Sequence, residues 1–246
     1  MNRIQKLPAL ASSLDELHDG ADLARTETAI ERPHHALFGP LHYESNYSYP
    51  LLVWLHGSGD TEKQLARIMP LISMRNYVAV APRGTLALEE GWRRGGYTWR
   101  QSDDGIAEAE QRVIDCMQIA RQRFRVAPSR LFLVGYGDGG SMALRIALNL
   151  PHRFVGAASL GGPFPHGHRP LQRLNEIRQM PLLFATARDS LRYPPAQVVD
   201  DLRLLHSGGI CLGLRQYPCG DELTTTMLAD LNRWMMECIC PSSCEA

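Results

Sequence analysis

Leu131-Phe132-Leu133-Val134-Gly135-Tyr136-Gly137-Asp138-Gly139-Gly140-Ser141-Met142-Ala143-Leu144 is the stretch whose reading decides the fold. An unbroken apolar run is what a strand buried on both faces of a parallel sheet carries, whereas a half-exposed strand would alternate. The run passes into closely spaced glycines, and an apolar-rich helical segment continues from Gly139 to Leu150, where Pro151 stops it. Strand, tight turn and helix therefore follow one another without a linker. Gly135 and Gly139 stand two places either side of Gly137 and bring no Cβ into the crossing, so helix and strand can pass closely. The apex of such a turn holds a positive φ, which costs a residue other than glycine about 1–3 kcal/mol. Gly137 removes that strain.

Outward from this stretch, strands and helices alternate. Leu51 to Leu55 is a second continuous apolar strand, ending at His56-Gly57-Ser58-Gly59-Asp60. A helix over Thr61–Met74 and a strand over Tyr77–Ala81 follow, and the residues from Arg83 to Arg100 form an irregular loop of the size that covers binding sites. Asp103 is expected to cap a long helix ending near Phe124. Beyond the central stretch come a strand over Phe154–Leu160, a loop with His166 and His168, and a strand from Leu182 to Thr186 that exits at Ala187-Arg188-Asp189. A helix from Pro195 to His206, a strand from Cys211 to Tyr217 and a last helix carrying Met227, Leu228, Leu231, Trp234 and Met235 complete the pattern. This order predicts an α/β fold with a mostly parallel sheet and helices on both faces. Leu41 to Glu44 is expected as an edge strand, and Ser12 or Ser13 as the cap of an appended helix reaching Ala29. The expected organisation is an N-terminal helical extension over 1–32, one domain over 33–240 and a short tail over 241–246.

Composition narrows the function. The 246 residues carry 26 basic and 26 acidic side chains, a balance that gives no electrostatic reason to expect nucleic acid or an anionic membrane as partner. No stretch has the apolar length of a transmembrane helix and the first residues lack a signal-peptide run, so the expected location is the cytoplasm. Cys238, Cys240 and Cys244 crowd the end, with spacings unlike the paired knuckles of structural zinc sites; free thiols are the expected state.

Taken together, Leu55-His56-Gly57-Ser58-Gly59-Asp60, Ala81-Pro82-Arg83-Gly84, the turn at 135–140 followed by Met142-Ala143, Asp189, and Tyr217-Pro218-Cys219-Gly220-Asp221-Glu222 resemble the phospholipase/carboxylesterase family of α/β hydrolases, which includes the acyl-protein thioesterases. The resemblance runs from about Pro50 to the last helix. It implies the α/β-hydrolase fold, no cofactor, no metal, and a catalytic serine at the apex of a strand-to-helix elbow of the form G-x-S-x-G. Here the apex is Gly137. Asp138 is excluded as a nucleophile because Tyr136 would occupy a position that has to be small, and Ser141 lies a turn inside the helix, where a hydroxyl tends to bond a helix carbonyl.

By the same resemblance, the backbone N–H groups of Ser58 and Asp138 would form the oxyanion hole, Asp189 stands at the acid position, and Asp221 stands where the pattern has its histidine. Gly137 has nothing to attack with. A carboxylate at 221 accepts hydrogen bonds at every atom, where imidazole needs a donor on one side and an acceptor on the other. A third carboxylate at Asp138, beside the oxyanion donors, opposes the anionic intermediate. The resemblance therefore implies a carboxylesterase-like protein with a degenerate triad, binding a small acyl or ester-like ligand or a protein partner. The alternative is an active hydrolase of esters or thioesters with another mechanism, for which a cation held by the carboxylate cluster of Asp189, Asp221 and Asp138 is one expectation; of the remaining histidines His166 is the nearest candidate to face the cleft, but it is expected as a solvated loop residue that does not rescue the triad.

Overall fold

The computed structural model describes residues 34–89, 95–210 and 212–240. The proposed N-terminal helix and the tail from 241 onward lie outside the described residues, as do Trp92 and Cys211. In chain order the elements are β1 (His35–Phe38), β2 (Tyr49–Leu55), α1 (Gln64–Ile72), β3 (Val78–Pro82), β4 (Leu86–Ala87), β5 (Tyr97–Thr98), α2 (Asp103–Arg123), β6 (Val126–Tyr136) and α3 (Asp138–Asn149), followed by β7 (Gly156–Leu160), α4 (Leu174–Ile177), β8 (Leu182–Ala187), α5 (Pro195–Ser207), β9 (Leu212–Tyr217) and α6 (Thr225–Ile239).

Seven strands form one sheet in the order β1-β3-β2-β6-β7-β8-β9. β1 is antiparallel to β3; every other neighbouring pair is parallel. The mostly parallel α/β sheet expected from the apolar runs is therefore present. Its two faces are separated residue by residue along the central strands. Leu131 and Leu133 of β6 point into a core shared with α2, α3 and α5, while Phe132 and Val134 point into the other core, shared with α1 and α6. β2 divides in the same way, Leu51, Val53 and Leu55 against Leu52 and Trp54, which is the period of two that a pleated strand imposes. Both faces are covered, so both sets are apolar and the sequence reads as a continuous run.

α3 is the innermost helix. Every residue from Gly139 to Leu148 is buried, as a helix apolar on nearly all sides has to be. The exception in chemistry is Arg145, only 4% exposed, whose Nη1 and Nη2 donate to the carbonyls of Gly167 and His166 at 3.0 and 2.9 Å.

Three local expectations are corrected. The edge strand lies at His35–Phe38 rather than at Leu41–Glu44, where the chain instead makes turns. Tyr43 and Tyr47 pack their rings on Tyr49, with centroids 5.4 and 4.7 Å apart, so the aromatic residues of this segment cluster instead of alternating across a sheet. The cap of α2 is Ser102, whose hydroxyl accepts from the Gly105 N–H at 3.3 Å; Asp103 and Asp104 occupy the first turn, where carboxylates favour the helix dipole. Finally, α1 is confined to Gln64–Ile72, since Thr61 to Lys63 form turns and Ser73 is extended.

Candidate functional site

The elbow is built as the glycine spacing requires. β6 ends at Tyr136, Gly137 takes φ 54° and ψ −124°, and α3 begins at Asp138. A Cβ on Gly135 would lie 2.2 Å from the Gly139 carbonyl oxygen, and one on Gly139 would lie 2.3 Å from the carbonyl oxygens of both Leu55 and His56. No side chain fits at either place. At Gly137 the situation is reversed: an added Cβ would meet only the Arg192 Nη1, at an ordinary 3.7 Å. The apex has space for a side chain, and its cost would come from the positive φ alone.

The loop after β2 lies beside the elbow because β2 and β6 are neighbours, with Leu55 opposite Gly135. Ser58, half-buried, is carried in a turn closed by Asp60 N–H to Gly57 O at 3.2 Å and held by Gly59 N–H to Tyr97 O at 3.0 Å. His56 is fully buried and structural. Its Nε2 accepts from the Gly84 N–H at 2.9 Å, which leaves Nδ1 to donate to Gly57 O at 2.8 Å, and desolvation lowers its pKa. Gly84 and Tyr97 therefore pack on this turn, and the Thr98 hydroxyl donates to the Asp138 carboxylate at 3.0 Å. Ser141 donates to the Pro163 carbonyl at 2.7 Å, outside its own helix, and is thus occupied in joining α3 to the loop after β7.

Asp221 faces the elbow. Its backbone carbonyl accepts from the Tyr136 hydroxyl at 2.7 Å, and its carboxylate accepts from the Ser190 hydroxyl and from the N–H groups of Leu191 and Arg192, the latter two at 3.1 and 3.3 Å. Desolvation acts to raise its pKa, but these donors and the Arg192 charge prevail and hold it below the usual aspartate value. Asp189 does not join it. The Asp189 carboxylate is exposed and bonded to the Arg188 guanidinium at 3.2 Å through both oxygens, while its N–H donates to Cys219 O. The residue that contacts Asp221 is the next one, buried Ser190. Among the described residues no group of three or more His, Cys, Asp or Glu side chains is gathered as a metal ion would need.

Gly137 and Asp221, both expected at the site, thus line one cavity, and Ser190 and Arg192 were not among the expected residues. Arg192, with Tyr136, Gly161 and Asp221, closes the space over Gly137 to a cavity of about 10 Å³, the room of a single water. The only signal for Ser190 in the sequence was its place one residue after an expected acid. The remaining histidines lie elsewhere: His206 is in the last turn of α5, and His166 bonds Asp201.

The comparisons with known proteins agree with this architecture. The family described as "Putative esterase" matches residues 27–169. The chain belongs to this esterase family. The matched region takes in Ser58, Gly137 and Asp138 and stops before Ser190 and Asp221. The chain is 30% identical over 118 residues to "Putative esterase NocK" of Nocardia uniformis subsp. tsuyamanensis; the match covers 47% of this chain and 33% of that protein, so the chain spans about a third of the length of its curated relative. Among solved structures, the acyl-protein thioesterase 2 of Zea mays superposes with a TM-score of 0.67 at 14% identity, over 85% of this chain and 100% of that one. The Bacillus cereus carboxylesterase gives 0.62 at 15% identity, over 86% and 96%, and the Mesorhizobium loti carboxylesterase 0.63 at 21%, over 77% and 90%. Together they establish the α/β-hydrolase fold of carboxylesterases and acyl-protein thioesterases. No helix among the described residues is long and apolar enough to cross a membrane.

Proposed function

We propose that this member of an esterase family does not catalyse serine-dependent acyl transfer and acts by binding a small ligand or a protein partner outside the elbow. In a serine hydrolase the hydroxyl attacks, the imidazole carries its proton, and an acid orients the imidazole. We assign the places for these groups to Gly137 at the apex, to Asp221, which lines the same cavity, and to Ser190, which is bonded to Asp221. None of the three has the chemistry of its place. Asp189, the acid by resemblance, is exposed and paired with Arg188.

The observation that carries the reading is Gly137 at φ 54°, the apex of an otherwise intact elbow with no nucleophile on it. The buried Cys116 and the half-buried Cys219 are poor substitute nucleophiles. Burial pushes the Cys116 thiol to about 12, and Cys219 is raised by desolvation and by the charges of Glu222, Asp189 and Asp221, so neither is a thiolate at neutral pH. The space beside the apex is also small, about 10 Å³, with the exposed Arg192 on its rim. Free cysteines at 116, 219, 238 and 240 suit a reducing compartment such as the cytoplasm. We take 33–240 as the hydrolase-fold domain, with 1–32 and 241–246 as extensions.

The test is reaction of the purified chain with a fluorophosphonate probe, followed by mapping of any labelled peptide. No stoichiometric label is expected. Labelling of one serine at a stoichiometry near unity would refute the proposal and identify the nucleophile.

A further inference from the structure

Away from the elbow, a second arrangement has the parts that a ligand site needs. Asp201 of α5 is 2% exposed, and both oxygens of its carboxylate are used: the Tyr193 hydroxyl donates to Oδ2 at 2.9 Å and His166 Nε2 bonds Oδ1 at 2.8 Å. A carboxylate can only accept, so His166 carries its proton on Nε2 and its ring is fixed in one orientation. Nδ1 has no hydrogen-bond partner among the described residues, and the His166 side chain is 58% exposed. It lines a cavity of about 450 Å³ together with Arg169, Gln172, Phe164, Leu171 and Leu204. Among the described residues no acidic side chain lines that cavity. The Phe164 ring meets the imidazole edge-on, with centroids 5.8 Å apart.

The loop that presents these groups is held in an unfavourable shape. Gly167, His168 and Arg169 follow one another with φ of 72°, 52° and 51°, and two of them are not glycine. Residues other than glycine are strained in this region and persist where their surroundings over-determine them. The determinant is Arg145, a cation buried in α3, which spends two guanidinium donors on the carbonyls of His166 and Gly167.

We propose that this cavity is a binding site for a small amphipathic organic anion, whose head is held by His166 Nδ1 and Arg169 and whose apolar body lies on Phe164, Leu171 and Leu204. Asp201 acts as a positioning residue: bonded to Nε2, it fixes the ring in one orientation and leaves Nδ1 for an incoming anion, to which that nitrogen donates when the ring is the imidazolium. The volume is within the range of small-molecule sites, and an apolar lining with a few convergent polar groups is their usual composition. The inference does not rest on the elbow reading, since no residue of the elbow lines this cavity.

The experiment is calorimetric titration of the full chain with octanoate, hexyl phosphate and 1-octanol. Saturable one-to-one binding of at least one of the two anions is expected, with the neutral alcohol at least about tenfold weaker, the loss of one hydrogen bond to a charged group. His166→Gln and Arg169→Ala should each weaken the anion about tenfold or more; both positions are exposed, so both variants should fold. Tighter octanoate assigns a carboxylate head, tighter hexyl phosphate a phosphate head, and either supports the site. In Asp201→Asn the ring ¹⁵N shifts of His166 should lose the single Nε2–H tautomer while octanoate weakens in parallel; if that variant does not fold, His166→Gln decides. Absence of saturable anion binding in the millimolar range, equal affinity for 1-octanol, or affinity unchanged in both His166→Gln and Arg169→Ala would overturn the proposal.

Discussion

Replacing Gly137 by serine tests the elbow in the folded state, independently of any reaction. The apex holds φ 54° and ψ −124°, and an added Cβ would find only Arg192 Nη1 at 3.7 Å. The substitution therefore brings backbone strain, about 1–3 kcal/mol, with no clash to add to it. A glycine replaced anywhere also stiffens the unfolded chain, which stabilises by about 0.4–1 kcal/mol and would mask part of the effect. The reference should be Gly213→Ser on β9, where φ is not positive and the nearest atom to an added Cβ is 3.5 Å away. That variant gains the same chain stiffening without the strain. The difference between the two is then the strain itself, about 1–3 kcal/mol, or about 2–12 °C in Tm for a chain of this size. Urea unfolding with an unchanged m-value gives the comparison as a shift in midpoint. Equal midpoints for the two variants would show that residue 137 is not held in the left-handed region and would remove the elbow assignment.

Other outcomes follow from the same geometry. Gly137→Ser combined with Ser190→Asp and Asp221→His should regain a fluorophosphonate-reactive serine, while Gly137→Ser alone should not, since nucleophile and base act as a unit; active-site labelling by mass spectrometry reads this out. In that triple variant, adding Arg192→Ala should speed labelling by opening the closed cavity, and an unchanged rate would mean that Arg192 does not block access. Gly139→Ala should be more destabilising than Gly137→Ser, because its Cβ lies 2.3 Å from two backbone oxygens and strand and helix must separate; thermal unfolding of the pair decides. Asp221 has a depressed folded-state pKa, so its contribution is present above the unfolded value of 3.8 and is lost as pH falls through the folded one. The stability gap between wild type and Asp221→Asn, measured by urea unfolding, should therefore be constant near neutral pH and close on acidification below that value. Glu62→Ala should cost toward the lower end of about 3–5 kcal/mol, since it strands Arg83, whose Nε and Nη2 are bonded to the Glu62 carboxylate at 2.8 and 2.7 Å.

What the sequence disclosed follows from how local each signal is. The central strands are buried on both faces, so their apolar runs are self-sufficient evidence, and the glycines at 135 and 139 announce the turn because each is required by a contact within the turn or the strand beside it, and Gly137 because of its positive φ. β1 was missed because half of its character comes from pairing: four partly exposed residues beginning at His35 become a strand only by lying antiparallel to β3. At the site, Gly137 was legible from its neighbours alone. Ser190 was not, because β8 ends at Ala187 and the next residues turn, with Ser190 N–H returning to Ala187 O at 3.4 Å. In a turn, one residue of register decides which side chain faces inward, and here Asp221, thirty-one positions later, fixes that choice by binding Ser190 and the N–H groups of Leu191 and Arg192. Arg192 was silent for the same reason, and Asp201 because its partners His166 and Tyr193 reach it from outside its own helix.

The crossing at Gly135 and Gly139 has an implication for how such a chain is read. These glycines let β6, β2 and α3 touch backbone to backbone, so they are a joint of the scaffold as much as a seat for a reacting group. Exchanging the apex residue leaves that joint untouched. A hydrolase signature of this kind can therefore outlast the reaction it once accompanied, held in place by selection on folding alone. Resemblance across residues 27–169 registers the carpentry of the elbow, and whether anything still happens there is written in the few atoms that Gly137, Ser190 and Asp221 place around it.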